Sequence, residues 1–485
     1  MKKNIKSILF FVVLGLMISC SDDFVDVDSE DPNSEDFFNT EEEYQDALIA
    51  AYDLLQSTYL NVMLGEIASD NTLAGGESAT DSPGIQEIDD MIHTPVNQQL
   101  RDIWSWMYAG VNRTNYIMEF QDKTDFSGKE GVIAQTRFLR AYYYFELVKW
   151  FGDVPLAIDK RIQFGEQFDI DRTPKAEVYA LIEEDLLFAS DNLPVTQTEA
   201  GRITQGAARA LLGKVYLFQD KFTEAAVILD QVIAGPYDLV VDYNSIFEQE
   251  GENNIESVFE VQYTDEEGAG FDCLQCSEGN VAVGFNGIRN YSGTVFDSGF
   301  SFNVPTEEVF NAFEAGDIRR DVAILDIDAW AATTGATFST GFEHTGYYNR
   351  KYIARQGDLN TGDANLTNPN NYRAIRFADV LLMAAEAYNR KSTPDDIQAQ
   401  IYLNRVRTRA QLADITATGA TLTDAIYNER RVELVGEGHH FFDLVRTGRA
   451  AQEIEGFTTG KHEVFPIPLI EIQLAGNRWN QNPGY

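Results

Sequence analysis

Cysteine is scarce in this chain: Cys20, Cys273 and Cys276 are the only three in 485 residues. That excludes a scaffold stapled by many disulfides. It also argues against a zinc centre, because no second C-x-x-C and no H-x₃-H element supplies further ligands among five histidines. In an exported chain Cys273 and Cys276 read as a local disulfide pinning a loop, with two free thiols as the alternative. Positive charge is short as well, 37 basic residues against 77 acidic ones and a formal net charge of −40. Such a field repels phosphate backbones and argues against nucleic acid as a partner. No G-x-S-x-G, H-E-x-x-H or G-x-x-x-x-G-K stretch occurs, so esterase, zincin and P-loop chemistries lack their minimum parts. Asp26-x-Asp28 and Asp326-x-Asp328 lack the glycine that an EF-hand needs at loop position six. No cofactor is expected, and a structural calcium ion stays open.

A long apolar run opens the chain. Ile8 to Ile18 follows Lys2, Lys3 and Lys6 and, at eleven residues, is too short to span a bilayer as a helix of roughly 20 residues. It reads as a secretion signal over residues 1–19. Its ending, Met17-Ile18-Ser19-Cys20, resembles the lipobox of bacterial lipoproteins, which implies cleavage before Cys20 and lipidation of its thiol. Residues 20–43 carry eleven acidic residues and no Lys or Arg, and read as a solvated spacer. Ser21-Asp22-Asp23 resembles the acidic signal that sends lipoproteins of the Bacteroidetes to the outer face of the outer membrane.

The chain as a whole is rich in flat side chains, with 22 Tyr and 31 Phe, and 44% of its residues are hydrophobic. Helical spacing runs through Tyr44, Ala47, Leu48, Ala51, Leu55 and Tyr59, and resumes from Gln98 to Phe120 and from Ile133 to Trp150. Leu212-Gly213, Tyr216 and Ala225 match tetratricopeptide spacing, without its tryptophan. Looser versions follow in Arg376 to Ala410 and Thr423 to Ala450. Between 251 and 371 the texture changes: Val258 to Tyr263 alternates like a strand, and Gly, Asn, Ser and Thr accumulate. The expected fold is mainly α, with tetratricopeptide-like helical hairpin repeats over 44–250 and 372–485 and an inserted irregular, loop- and short-strand-rich lobe over 251–371.

Three segments narrow this further. They are Arg140 to Tyr144 leading to Phe151-Gly152-Asp153-Val154-Pro155-Leu156; Glu429-Arg430-Arg431-Val432-Glu433-Leu434 through Glu437-Gly438 to Phe442-Asp443-Leu444-Val445-Arg446; and Pro466-Ile467-Pro468 with Glu471, closing at Asn480 to Tyr485. Together with the lipobox they resemble the SusD/RagB family of outer-membrane nutrient-binding lipoproteins. The resemblance implies a glycan-binding lid on a SusC-like TonB-dependent transporter, surface-exposed on the outer membrane, with no chemistry performed on the sugar. His440 stands where the family's Glu-Gly-x-Arg stretch has an arginine, which puts a local ion pair in doubt.

Read as residues, the signatures are structural. Arg430, Arg431, Glu433, Glu437, Asp443 and Arg446 are placed to form a charge network, and Tyr142 to Tyr144 with Trp104 and Trp106 to pack between hairpins. Sugar recognition needs aromatic faces for C–H surfaces and planar polar groups for hydroxyls, and loops carrying both are the candidates. These are Asp70, Asn71, Glu77 and Asp81 in the segment Asp70 to Gln86; Arg289, Asn290, Tyr291 and Phe296 in the segment Phe285 to Phe296; and Trp330, Tyr347 and Tyr348 in the stretch from Trp330 to Tyr348. The acidic balance points to a neutral glycan such as a β-glucan. The rivals are a peptide-binding repeat scaffold and a glycoside hydrolase, for which no carboxylate pair stands out.

Overall fold

The computed structural model describes residues 37–158, 160–163, 170–357, 363 and 365–485. The signal stretch, Cys20, Asp26 and Asp28 lie outside the described residues, with most of the acidic spacer. Residues 37–43, expected to be spacer, belong to the helical body instead. The phenyl ring of Phe38 is fully buried against Tyr44, Tyr116 and Phe120. Thr40 and Glu43 then close a reciprocal capping box at the start of helix α1 (Glu41–Asp53), satisfying backbone donors that a solvated tail would leave to water.

Helices α2 (Gln98–Glu119), α3 (Lys129–Phe151), α4 (Lys175–Asn192), α5 (Gln205–Leu217) and α6 (Phe222–Ile233) follow, each packed on the next. The close approach of α5 to α6 depends on Gly213, where a Cβ would come within 2.4 Å of Leu229. That is the physical content of the Leu212-Gly213 signature. The frame resumes with α7 (Phe377–Arg390), α8 (Asp396–Arg409), α9 (Gly419–Leu434) and α10 (His440–Arg446). Helix α7 lies against α6, α8 and α9 and so joins the two helical stretches into one body. Tyr142 to Tyr144 are buried in α3, where the Tyr143 hydroxyl donates to the Ala51 carbonyl and that of Tyr144 to the Ala157 carbonyl. The C-terminal tail folds back on the end of α3: Asn482 donates to the carbonyls of Phe151 and Phe465, and the Tyr485 hydroxyl lies 2.8 Å from His93 Nε2.

Strands are short and paired. β1 (Thr72–Ala74) runs antiparallel to β3 (Asn303–Pro305), and β2 (Ser257–Val261) to β5 (Tyr372–Arg376). β4 (Tyr347–Asn349) pairs antiparallel with Ile324–Asp326. The chain is therefore mainly helical with an irregular, short-strand insert. The insert is less separate than its texture suggests, because β2 and the run Val281 to Val283 bury their side chains in the main core. Two smaller cores belong to it, one around Tyr291, Phe296 and Tyr348, the other around Val309, Phe313 and Ile324 with Val432 and Val435 from α9 and its end. Asp326 caps the helix Ile327–Thr334 by accepting from Ala329 N at 2.9 Å. Among the described residues no helix is long and apolar enough to cross a membrane.

Candidate functional site

The charged signature around α9 faces inward. Arg376 reaches Glu256 at 2.7 Å, Glu433 at 2.8 Å and Glu437 at 2.8 Å, all four side chains being about 1% exposed or less. Arg409 and Arg319 also meet Glu433, at 2.6 and 2.9 Å, and Lys351 meets Glu437 at 2.6 Å. Burial pushes the Glu433 carboxyl up, but Arg409, Arg376, Arg319 and Lys351 outweigh it and hold the group well below the carboxylate range. On the neighbouring turns Arg430 joins Asp379 and Asp443, and Arg446 joins Glu386 and Asp443. Removing one member would strand an opposite charge in the interior, so this network fixes the geometry of the last hairpins.

Two expected contact residues belong to this interior. Asn71 is fully buried, donating to Glu66 and accepting from Arg431 Nε at 2.7 Å. Asp70 pairs with Arg431 at 2.5 Å and with His440 Nε2 at 3.0 Å. Burial raises the Asp70 carboxyl, and the bond from His440 with the charges of His440 and Arg431 carries it net below its ordinary value. His440, which stands where the resemblance expects an arginine, therefore has a carboxylate partner in Asp70. Glu66, also fully buried, accepts from Gly436 N and Gly438 N and so ties this loop to the Glu437-Gly438 signature. Phe296 and Tyr348 are likewise interior, 1% and 0% exposed, in the small core with Tyr291. These four residues are withdrawn from the contact set because their polar atoms and faces are already covered by protein. Tyr291 is nearly buried, its hydroxyl donating to the Thr294 carbonyl and accepting from Trp330 Nε1 at 3.0 Å. Trp330, half-buried, lies 5.1 Å from the Phe296 ring. Tyr347 stacks on Phe310 at 4.4 Å, beside the other small core.

Asp81 and Arg289 do come together, although more than 200 positions separate them in sequence, with Glu77 N bonded to Asp81 and Asn290 next to Arg289 in the chain. The β1–β3 pairing carries the first loop onto the insert, and backbone bonds continue it: Gly75 N to Phe302 O, Gly76 N to Ser301 O, and Phe342 N to Gly76 O. Gly76 has φ +102° and its absent Cβ would sit 2.8 Å from the Phe302 ring, so glycine is needed at this crossing. Arg289 Nη2 lies 3.8 Å from Asp81 and donates to the Phe300 carbonyl at 2.8 Å, and Nε donates to Ser301 Oγ at 3.3 Å. Asp81 accepts from Glu77 N at 2.8 Å, and Asn290 donates to Ser339 Oγ at 3.2 Å. Beneath this face Asp89 accepts from Ala74 N; burial, reinforced by Asp90 and Glu343, lifts its carboxyl to about 7. Ser301, Ser339 and Phe342 were not legible as site residues, since isolated serines in a loop carry no pattern. The Gly75-Gly76 pair was the one available signal for a close crossing.

A helical-hairpin frame carrying a polar face built from distant loops defines a mainly helical protein with a loop-borne polar surface. The comparisons give that class a family. A family model described as "SusD family" matches residues 326–464, and a second, described as "Starch-binding associating with outer membrane", matches residues 23–217. A solved laminarin-binding SusD-like protein is 35% identical, with a TM-score of 0.85 over 92% of this chain and 100% of that one. Surface glycan-binding protein A from Bacteroides thetaiotaomicron, solved in complex with laminarihexaose, is 28% identical, with a TM-score of 0.81 over 92% of this chain and 100% of its own. A SusD-like protein of Formosa agariphila is 28% identical over 524 residues, covering 99% of both chains. The chain belongs to the SusD/RagB family, whose description associates it with the outer membrane.

Proposed function

We propose that this protein is a surface lipoprotein, anchored through Cys20, that captures a neutral glucan of the laminarin type and passes it uncleaved to a SusC-like TonB-dependent transporter. The observation that carries the reading is the similarity over 92% of this chain, at 35% identity, to a laminarin-binding relative. Asp81, Arg289 and their chain neighbours Glu77 and Asn290 offer what a neutral sugar needs, a planar cation and carboxylates for hydroxyls. A net charge of −40 repels sulfated and uronate polymers.

Calorimetry against laminarihexaose, other neutral oligosaccharides and anionic polysaccharides tests it. Binding confined to neutral glucans is expected. Binding to none, together with sugar release on long incubation, would overturn both the ligand class and the non-catalytic role. The anchor is tested separately: Cys20→Ala is expected to leave binding by purified protein intact and to lower glycan uptake by cells.

A further inference from the structure

The loop that carries the C-x-x-C motif also holds the most exposed ring among the described aromatic residues. Among the described aromatic residues Phe271 alone is exposed, at 58%. Leaving a phenyl face in water forgoes hydrophobic stabilisation that almost every other ring here obtains. The exposure is also organised. Cys273 and Cys276 are joined in a disulfide, Cys273 N donates to Gly270 O, and Asp363 N donates to Ala269 O, so both sides of Phe271 are tied down. The ring lies 5.7 Å from that of half-buried Phe300, which in turn meets buried Phe285 edge-on at 5.7 Å. A rank of three rings therefore runs from the core to the surface.

We infer that Phe271, presented by the Cys273–Cys276 loop, is a stacking platform for one end of the bound glycan. The inference rests on the glucan-binding reading above and adds to it a residue that sets affinity and sugar class. Phe300 connects the platform to the polar face, because its carbonyl accepts from Arg289 and its neighbour Ser301 bonds both Arg289 and Gly76. A β-linked glucose unit offers an apolar C–H face to a ring while its edge hydroxyls point sideways, toward groups such as Arg289 and Asp81. Exposed Glu266, Glu267 and Asp272 surround the platform in the same loop. A sugar carrying sulfate or carboxylate would meet like charge there, whereas a neutral one would not.

The test titrates laminarihexaose into the wild type, Phe271→Ala, Phe271→Trp and the double variant Cys273→Ser/Cys276→Ser, with thermal unfolding of each. Phe271→Ala is expected to weaken binding about tenfold at unchanged Tm, as for loss of one stacking ring. Phe271→Trp is expected to keep the affinity, with indole emission that changes on sugar binding. The double serine variant is expected to fall between wild type and Phe271→Ala, because the ring must then be ordered on binding. Wild-type binding with an unaltered affinity in Phe271→Ala, or a silent indole in Phe271→Trp, overturns this inference and leaves the glucan reading standing. Absence of wild-type binding to any glucan overturns the reading itself.

Discussion

Two charged regions of this molecule look alike in sequence and behave oppositely in the fold. Around α9, arginines and carboxylates are paired with one another to the exclusion of water, Arg376 alone touching Glu256, Glu433 and Glu437. On the loop face, Arg289 and Asp81 stand 3.8 Å apart at 19% and 32% exposure, and Arg289 spends its nearer bonds on a backbone carbonyl and a serine. The first arrangement leaves no capacity for a ligand and makes every member indispensable to stability. The second keeps hydrogen-bonding capacity open at modest cost. The segments that carry the family resemblance lie in the first region and the proposed recognition in the second.

The largest test of that contrast is Arg376→Met. It leaves three carboxylates around one missing cation and is expected to cost about 3–5 kcal/mol, read by urea unfolding. A loss below about 1 kcal/mol would mean that the interior network is not structural. Asp89→Asn is expected to act in the other direction and to depend on pH. With its folded-state pKa raised to about 7 by burial, Asp89 is protonated in both states in strong acid. As pH rises from about 4 towards 7 the unfolded chain ionises first, so its contribution to stability is lost over that window. The asparagine variant therefore gains on the order of 2–4 kcal/mol over wild type at pH 8 and nothing at pH 3.5. An equal gain at both pH values would show that ionisation is not its source.

Trp330→Ala comes next. Trp330 covers Phe296 and donates to Tyr291, so its loss is expected to lower stability by about 2–3 kcal/mol, measured as a drop in Tm. Unchanged Tm with lost glucan binding would instead make it a direct contact. The smallest effect is that of Asn290→Ala on the open face: glucan affinity about threefold lower by calorimetry and stability unchanged, as for one exposed neutral hydrogen bond. A marked fall in Tm there would erase the distinction between the two regions.

Much of the frame was legible. The Leu212-Gly213 spacing and the tyrosine run of α3 each report a local packing rule and formed where it applied, whereas the apolar period of 44–59 is helical only to Asp53, a turn at Gln56–Thr58 separating it from a second helix that starts at Tyr59. The site was legible only in part. Asp70 and Glu77 sit in the same loop with the same chemistry, yet Asp70 meets Arg431 and His440 from the far end of the chain while Glu77 stays exposed. Likewise Tyr291, Phe296 and Tyr348, candidate sugar contacts by residue type, fill a small core, and Phe271, which no pattern in the sequence marks, carries the exposed ring among the described aromatic residues.

The sequence by itself determined the kind of helices, their close approaches, the family and the acidic balance, because periodicity, glycine and net charge are properties of the chain. Tertiary structure alone decided which charges are buried in pairs and which loops share a face. Burial depends on the element that arrives opposite, and the bonds that join Gly76, Ser301 and Phe342 are made by backbone groups that every residue carries.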